Sequence, residues 1–155
     1  MTTPGDEELM RFALLEAQTA AEAGETPVGA LLIKQGKIIG KGYNRTLGEQ
    51  LQTSHAELVA MREASARLGL HALTGATLCV TLEPCLMCLG ALVQARIARV
   101  VFGAYEPQTG ALVSRYQLAD YPGHRFDWRG GVLREECAAL MQAFFRRRRA
   151  DGAAE

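Results

Sequence analysis

The sequence predicts a single α/β domain. Three observations support this fold class: helical and strand-like apolar patterns alternate along the chain, the length of 155 residues fits one domain, and no repeat or linker interrupts it. The composition, 48% hydrophobic and 22% charged residues, is typical of a globular protein. We therefore expect one domain over residues 1–155, with a core at about 6–149 and a short tail at 150–155.

The first half of the chain predicts a helix, a hairpin and a second helix. Asp6 is a candidate N-cap, because its carboxylate is suited to the first backbone N–H groups of a helix. Gln35-Gly36 separates two β-branched, apolar runs, which is typical of a hairpin turn. The expected elements are a helix from Asp6 to Gly24, strands at 28–33 and 37–43, and a helix at 55–68.

The second half predicts further strand–helix crossovers and a terminal helix. Apolar residues at helical spacing mark the core-facing side of that last helix: Leu133, Cys137, Leu140, Met141 and Phe144. Segment 111–121 is ambiguous, and a short helix after a loop is one interpretation of it. The remaining expected elements are strands at 77–82 and 99–103 and an apolar helix at 85–95.

Charge and cysteine content narrow the class of protein. Lys plus Arg and Asp plus Glu are both 17, so the net charge does not indicate a nucleic-acid partner. The first eight residues lack a basic and an apolar region, and no apolar run reaches the roughly 20 residues that span a bilayer. We expect a cytoplasmic protein without membrane contact, whose four cysteines serve metal binding rather than disulfides.

Two separate segments of the sequence supply the residues of a candidate metal site. His55-Ala56-Glu57 is followed, thirty positions after His55, by Cys85 in Pro84-Cys85-Leu86-Met87-Cys88. One imidazole and two thiolates are zinc ligands, and three protein ligands leave a fourth position for water. His55, Cys85 and Cys88 are therefore predicted to bind one Zn²⁺ at a catalytic site.

Glu57 is the predicted general acid/base of this site. Zinc lowers the pKa of a bound water towards about 7, and a neighbouring carboxylate can take up and return the proton. His55 and Cys85 each begin a helix, whose amino terminus favours a thiolate. The alternative, that these are buried core residues, leaves the spacing unexplained. Cys79 is a possible fourth ligand, but strand alternation favours a small buried thiol.

The zinc motif and the segments around it resemble those of a known family. His-x-Glu followed by Pro-Cys-x-x-Cys is the signature of the zinc nucleobase deaminases. Further segments narrow the resemblance to the bacterial tRNA-specific adenosine deaminases and extend it over roughly residues 6 to 149. These segments are Glu25-Thr26-Pro27-Val28-Gly29-Ala30, Tyr43-Asn44-Arg45, 81–88, 96–104, 136–140 and 144–146.

The resemblance implies fold, activity and site residues. It implies a three-layer cytidine deaminase-like fold, with a central five-stranded sheet flanked by helices, in a homodimer with one Zn²⁺ per subunit. The implied reaction is hydrolytic deamination of adenosine to inosine at the wobble position of a tRNA anticodon stem-loop, most often in an arginine tRNA. The implied substrate contacts are Asn44 and Glu106 on the flipped nucleotide, Val28 in its pocket, the Ala56 backbone at the base edge and Phe145 at the pocket mouth.

Three positions depart from the family pattern. Glu106 stands where Asp is more frequent, Leu51 where an acidic residue is common, and Val113 where Gly is usual. None of them belongs to the zinc motif, so the departures bear on substrate detail and not on the reaction type.

The terminal helix carries a local positive charge. Residues 124–149 contain seven arginines against three acidic residues, a local excess of +4. Arg suits phosphate, so Arg146, Arg147, Arg148 and Arg149 are candidate RNA-backbone contacts. The alternative is a solvated helix end, because cations also favour a helix carboxyl terminus.

Two rival functions remain open. The first is a deaminase of a free nucleobase or nucleoside, of the guanine or cytosine type, which uses the same zinc residues without an arginine-rich helix. The second is a non-catalytic RNA-binding module with a structural zinc, which requires a fourth ligand and an expendable Glu57.

Overall fold

The computed structural model describes residues 4–154 and builds a three-layer α/β fold. The helices are α1 (Asp6–Glu22), α2 (Ala56–Leu68), α3 (Leu86–Gln94) and α4 (Arg134–Ala154), with a 3₁₀ helix at Leu70–Leu73. The strands are β1 (Gly29–Lys34), β2 (Lys37–Tyr43), β3 (Thr77–Leu82), β4 (Arg99–Ala104), β5 (Asp120–Tyr121), β6 (His124–Arg125) and β7 (Asp127–Arg129).

Five of the strands form the central sheet in the order β2-β1-β3-β4-β7. β1 pairs antiparallel with both β2 and β3, whereas β3, β4 and β7 run parallel. The parallel pair β3–β4 is connected through α3, the crossover that parallel strands require. The predicted five-stranded sheet flanked by helices is confirmed.

The helices cover the two faces of the sheet, each with its own apolar core. One core joins α2 and α3 to the sheet through residues such as Ala60, Leu92 and Leu78. The other joins α1 and α4 to the opposite face through Met10, Cys137 and Val101. Alternation along β1 explains the division, because Ala30 and Leu32 belong to the first core and Leu31 and Ile33 to the second.

Close packing sets the position of α2 over the sheet. A Cβ atom on Gly42 of β2 would lie 2.7 Å from the backbone nitrogen of Ala60 and 2.8 Å from the carbonyl oxygen of Ala56. Glycine at this position lets α2 approach the strand backbone. The start of α2, which follows His55, is therefore held against the end of β2.

Two local predictions are wrong. Gly5, not Asp6, is the N-cap of α1, and the Asp6 carboxylate accepts two hydrogen bonds from Arg99 (2.8 and 2.9 Å) and one from Arg129 (3.0 Å). Segment 111–121 forms turns and the short strand β5 instead of a helix. Its later backbone N–H groups bond five to seven positions back instead of four, Arg115 and Tyr116 to the Gly110 carbonyl and Leu118 to the Ala111 carbonyl, so helical bonds do not form.

The predicted tail at 150–155 continues α4 as far as Ala154, and residues 1–3 and 155 lie outside the described residues. Within residues 4–154, no helix is long and apolar enough to cross a membrane.

Candidate active site

Two helix starts bring the predicted metal ligands together. His55 is the N-cap of α2, and Cys85 is the N-cap of α3, which follows directly on β3. His55 Nδ1 lies 3.6 Å from Cys85 Sγ and 3.5 Å from Cys88 Sγ. All three ligand atoms lie within 4.8 Å of one another. Side chains thirty or more positions apart thus converge on one point.

These distances fit a tetrahedral zinc ion. Zn–N and Zn–S bonds of about 2.05 and 2.3 Å at a tetrahedral angle separate nitrogen and sulfur by about 3.6 Å. The two measured N···S distances, 3.6 and 3.5 Å, agree with that value. Contact with Cys88, and then with His55, also lowers the pKa of the Cys85 thiol to about 4, which favours the thiolate that a metal needs.

Glu57 lies in the first turn of α2 and is only 4% exposed. Burial raises the pKa of its carboxyl to about 7, because removal from water disfavours the charged form. A carboxyl group with a pKa near 7 can both accept and donate a proton near neutral pH. This is the property required of the predicted general acid/base.

A cavity of about 200 Å³ opens onto this group of residues. It is smaller than the roughly 300–1,000 Å³ of many ligand sites, so it suits a single flat ring better than a whole nucleotide. Its walls come from the residues just before β1 and just after β2, the starts of α2 and α3, and the loop after β4. The lining residues are Thr26, Val28, Asn44, Thr46, His55, Ala56, Glu57, Leu82, Glu83, Cys85 and Thr109.

The predicted substrate contacts fall into two groups. Val28, Asn44 and Ala56 line the cavity, where the resemblance places them. Glu106 does not line it; its side chain accepts the backbone N–H of Gln108 at 3.0 Å. Phe145 is 43% exposed on α4, at a separate surface cavity. The roles of all five as substrate contacts stay predictions.

The candidate RNA-backbone arginines lie on the exposed surface of α4. Arg146 and Arg149 line that surface cavity together with Phe145 and Gln142. Arg148 lies over the Phe144 ring, 5.3 Å from its centroid. Arg147 is exposed. Their solvent-facing guanidinium groups are available to phosphate, and their contact with RNA remains a prediction.

Several lining residues were not singled out from the sequence. Thr26, Leu82 and Glu83 occur inside the segments that carry the family resemblance, so a signal for them existed. Thr46 and Thr109 had no such signal, because each lies in a loop whose path depends on distant residues. Cys79 joins the core on the α1 face of the sheet, whereas Cys88 lies in α3 on the other face, so it does not complete the ligand set.

Comparisons with known proteins agree with this geometry. Residues 3–104 match the cytidine and deoxycytidylate deaminase zinc-binding region. The tRNA-specific adenosine deaminase of Haemophilus influenzae is 43% identical over 147 residues, covering 93% of this chain and 85% of that protein. The Bacillus subtilis enzyme of the same name is 44% identical over 144 residues, covering 91% and 89%. The chain belongs to the tRNA-specific adenosine deaminase family.

Solved structures support the same assignment. A structure from studies of A-to-I editing by tRNA:A34 deaminases has a TM-score of 0.80 and 40% identity, covering 85% of this chain and 97% of that one. A guanine deaminase from Nitrosomonas europaea has a TM-score of 0.77, covering 93% and 86%, but its 24% identity shows the fold alone. The chain is a zinc-dependent deaminase, and its His/Cys/Cys group accounts for one zinc ion per subunit.

Proposed function

We propose that this chain deaminates adenosine to inosine at the wobble position of a tRNA anticodon, with an arginine tRNA as the substrate. The observation that carries the proposal is a group of His55, Cys85 and Cys88 at a cavity that buried Glu57 also lines, in a chain of the tRNA-specific adenosine deaminase family. The proposed compartment is the cytoplasm.

His55, Cys85 and Cys88 are the proposed zinc ligands. When bound there, zinc supplies a Lewis acid that activates a water molecule for attack. The Nδ1 atom of His55 faces both sulfur atoms, which assigns the metal bond to Nδ1 rather than Nε2. Three protein ligands would leave a fourth coordination position for water, and His55 and Cys85 line the cavity from which substrate would approach.

Glu57 moves the protons of the reaction. Its carboxylate takes a proton from the attacking water and passes it to N1 of the adenine ring, while the water oxygen bonds to C6. It then transfers the second water proton to the amino group, and the C6–N6 bond breaks. Ammonia leaves and the C6 carbonyl of inosine remains, so one water is consumed for each ammonia released.

The size of the cavity implies that the base enters alone. A base must leave its stack to reach a buried site, and an anticodon loop makes this easier because its bases are already unstacked in part. Asn44, which is 6% exposed, and Val28 line the same cavity as His55 and Cys85. The arginines at the end of α4 are proposed to contact the backbone of the anticodon stem-loop.

The protein is proposed to act as a homodimer. An apolar groove of about 490 Å³ lies between α2 and α3, lined by residues that include Met61, Leu70 and Ala91. Leu70, in the lining, is 72% exposed, and Leu86, the first residue of α3, is 47% exposed. Exposed apolar surface of this kind is typical of protein interfaces, and a second copy of this family member is the proposed occupant.

The deciding experiment measures inosine in an arginine tRNA transcript with adenine at the wobble position. Wild-type protein is compared with Glu57→Gln, which keeps the shape of the side chain but cannot carry the proton. We expect the variant to lose activity by a factor of about 10²–10⁴ and to retain its zinc by elemental analysis. Glu63→Gln, an exposed position on the same helix, is the matched control and should keep wild-type activity.

Parallel assays with free guanine and cytidine separate the alternatives. Ammonia from a free base, with no inosine in tRNA, would reject the tRNA proposal and keep the zinc chemistry. Absence of turnover on every substrate, with zinc still bound, would reject catalysis altogether and favour a structural metal.

A further inference from the structure

A buried carboxylate next to the metal ligands is held by a single loop. Glu83 is 2% exposed and lies two residues before Cys85. Its Oε1 accepts the backbone N–H of Glu106 at 3.1 Å, and its Oε2 accepts the N–H groups of Val113 and Ser114 at 2.9 and 3.0 Å. The Ser114 hydroxyl also donates to Oε1. Four donors from residues 106–114 therefore meet one carboxylate.

Within residues 4–154, no Lys or Arg lies within ion-pairing distance of this carboxylate. A buried carboxylate without a cation depends on hydrogen bonds to replace its hydration. Here all of them come from the loop between β4 and β5, so the loop conformation and the burial of Glu83 depend on each other.

The loop also approaches Glu83 too closely for a side chain. A Cβ atom on Gly110 would lie 2.4 Å from Glu83 Cδ and 2.5 Å from the Glu106 carbonyl oxygen. The Ala111 N–H donates to the Pro84 carbonyl at 2.8 Å, which ties the same loop to the segment that leads into Cys85. Thr109, next to Gly110, and Glu83 itself line the active-site cavity.

From these contacts we infer that Glu83 is a positioning residue: it sets the 105–114 loop as a wall of the substrate pocket and thereby places Thr109 against the target nucleotide. The inference rests on the proposed function for the identity of the nucleotide. Neighbouring residues of one segment then have different roles: Cys85 and Cys88 hold the metal, and Glu83 shapes the pocket beside it.

The test uses Glu83→Gln in the full-length zinc enzyme. The amide replaces one of the two acceptor oxygens by an NH₂ donor. In one orientation this NH₂ faces the Glu106 N–H and the Ser114 hydroxyl, and in the other it faces the N–H groups of Val113 and Ser114, so two hydrogen bonds are lost in either case. We expect backbone amides of 105–114 to exchange hydrogen faster than in the wild type. We also expect KM for the tRNA to rise by about tenfold or more, since a displaced positioning group costs up to about 10²-fold, with zinc content unchanged.

A double-mutant cycle identifies how Glu83 acts. If it works through the loop, Thr109→Ala should cost much less in the Glu83→Gln background than in the wild type, because Thr109 is then already displaced. Ser114→Ala removes one of the four donors and should give a smaller increase in KM. Glu22→Gln, an isosteric change at an exposed position on α1, is the control and should change nothing.

Three results would overturn the inference. The first is a Glu83→Gln variant with a lower melting temperature but unchanged KM and kcat, because that result would show a purely structural role. The second is additive effects in the cycle. The third is loss of zinc or of kcat alone, which places Glu83 at the metal. If wild-type protein edits no tRNA, the proposed function fails instead, and amide exchange together with the cycle on the free substrate that it does deaminate still decides the role of Glu83.

Discussion

Among residues 4–154, three glutamates are buried, and their partners differ. Glu25 accepts the N–H groups of Leu47 and Gly48 at 3.0 and 2.7 Å, and Glu83 accepts those of the 105–114 loop. Each carboxylate therefore holds a loop that borders the cavity. Glu57 faces the cavity itself, and burial raises its pKa to about 7. The same residue type thus holds a loop at two positions and is the predicted proton carrier at the third.

Asp6 supplies a prediction at the residue scale. Hydrogen bonds from Arg99 and then Arg129 hold the pKa of its carboxyl below the usual value, against the opposing effect of burial. A carboxyl whose pKa is lower in the folded state stabilises the protein at pH values above its unfolded-state pKa of about 3.9. This stabilisation is lost as the pH falls through the folded-state pKa. We expect Asp6→Asn to lower the free energy of unfolding by about 1 kcal/mol at pH 7, since the arginines are partly exposed.

The measurement is urea denaturation of both proteins from pH 7 down to pH 3. The difference between them should begin to shrink below about pH 4, where Asp6 becomes protonated in the unfolded state, and it should disappear as the pH falls through the lower folded-state pKa. Glu7→Gln, an exposed carboxylate in the same helical turn, should show no such difference. A gap between Asp6→Asn and wild type that persists undiminished to pH 3 would contradict the ion-pair explanation.

At the scale of elements, the packing of α2 on β2 gives a second prediction. Gly42→Ala places a methyl group within 2.8 Å of two backbone atoms of α2, so the helix must move away from the strand. We expect a loss of about 1–3 kcal/mol of stability, the usual cost of overpacking. Because α2 begins directly after its N-cap His55, zinc content should also fall. Lys41→Ala, the exposed neighbour on the same strand, is the control in thermal unfolding and metal analysis.

The carboxyl end of α4 gives a third prediction. Replacing Arg146 and Arg149 by Ala removes two exposed cations beside Phe145. If both contact phosphate, tRNA affinity falls and the slope of log Kd against log salt decreases by about 2, roughly one for each lost contact. The control replaces Lys34 and Lys37, at the end of the sheet opposite Cys85. An equal loss of affinity in both double variants would show that net charge alone is responsible.

For the whole molecule, the groove between α2 and α3 predicts the oligomeric state. Leu70→Glu puts a charge at a side chain that is 72% exposed, so the monomer should fold normally. We expect the wild type to sediment as a dimer and this variant as a monomer at micromolar concentration. Leu15→Glu, at an apolar position on α1 that is 58% exposed, is the matched control. A monomeric wild type, or a dimer that survives Leu70→Glu, would reject the groove as the interface.

Much of the fold follows from local patterns in the chain. The hairpin at Gln35-Gly36 and the strand at 77–82 were expected where the structure has them, because strand periodicity and turn residues act over a few positions. Segment 111–121 does not form a helix, because its later N–H groups bond five to seven positions back and the N–H groups of Val113 and Ser114 bond to Glu83, about thirty positions earlier. Local propensity carries no information about such a partner.

The sequence by itself determined which residues form the His/Cys/Cys group, and it predicts Glu57 as the acid/base residue. His55 and Glu57, and likewise Cys85 and Cys88, lie within one helical turn of each other, so their geometry is encoded by short spacing. Only the tertiary structure decided how the two pairs meet, which loops close the cavity, and that Arg99 and Arg129 share Asp6. Those contacts join residues 30 to 123 positions apart, and they depend on strand register and helix packing, which the whole chain sets together.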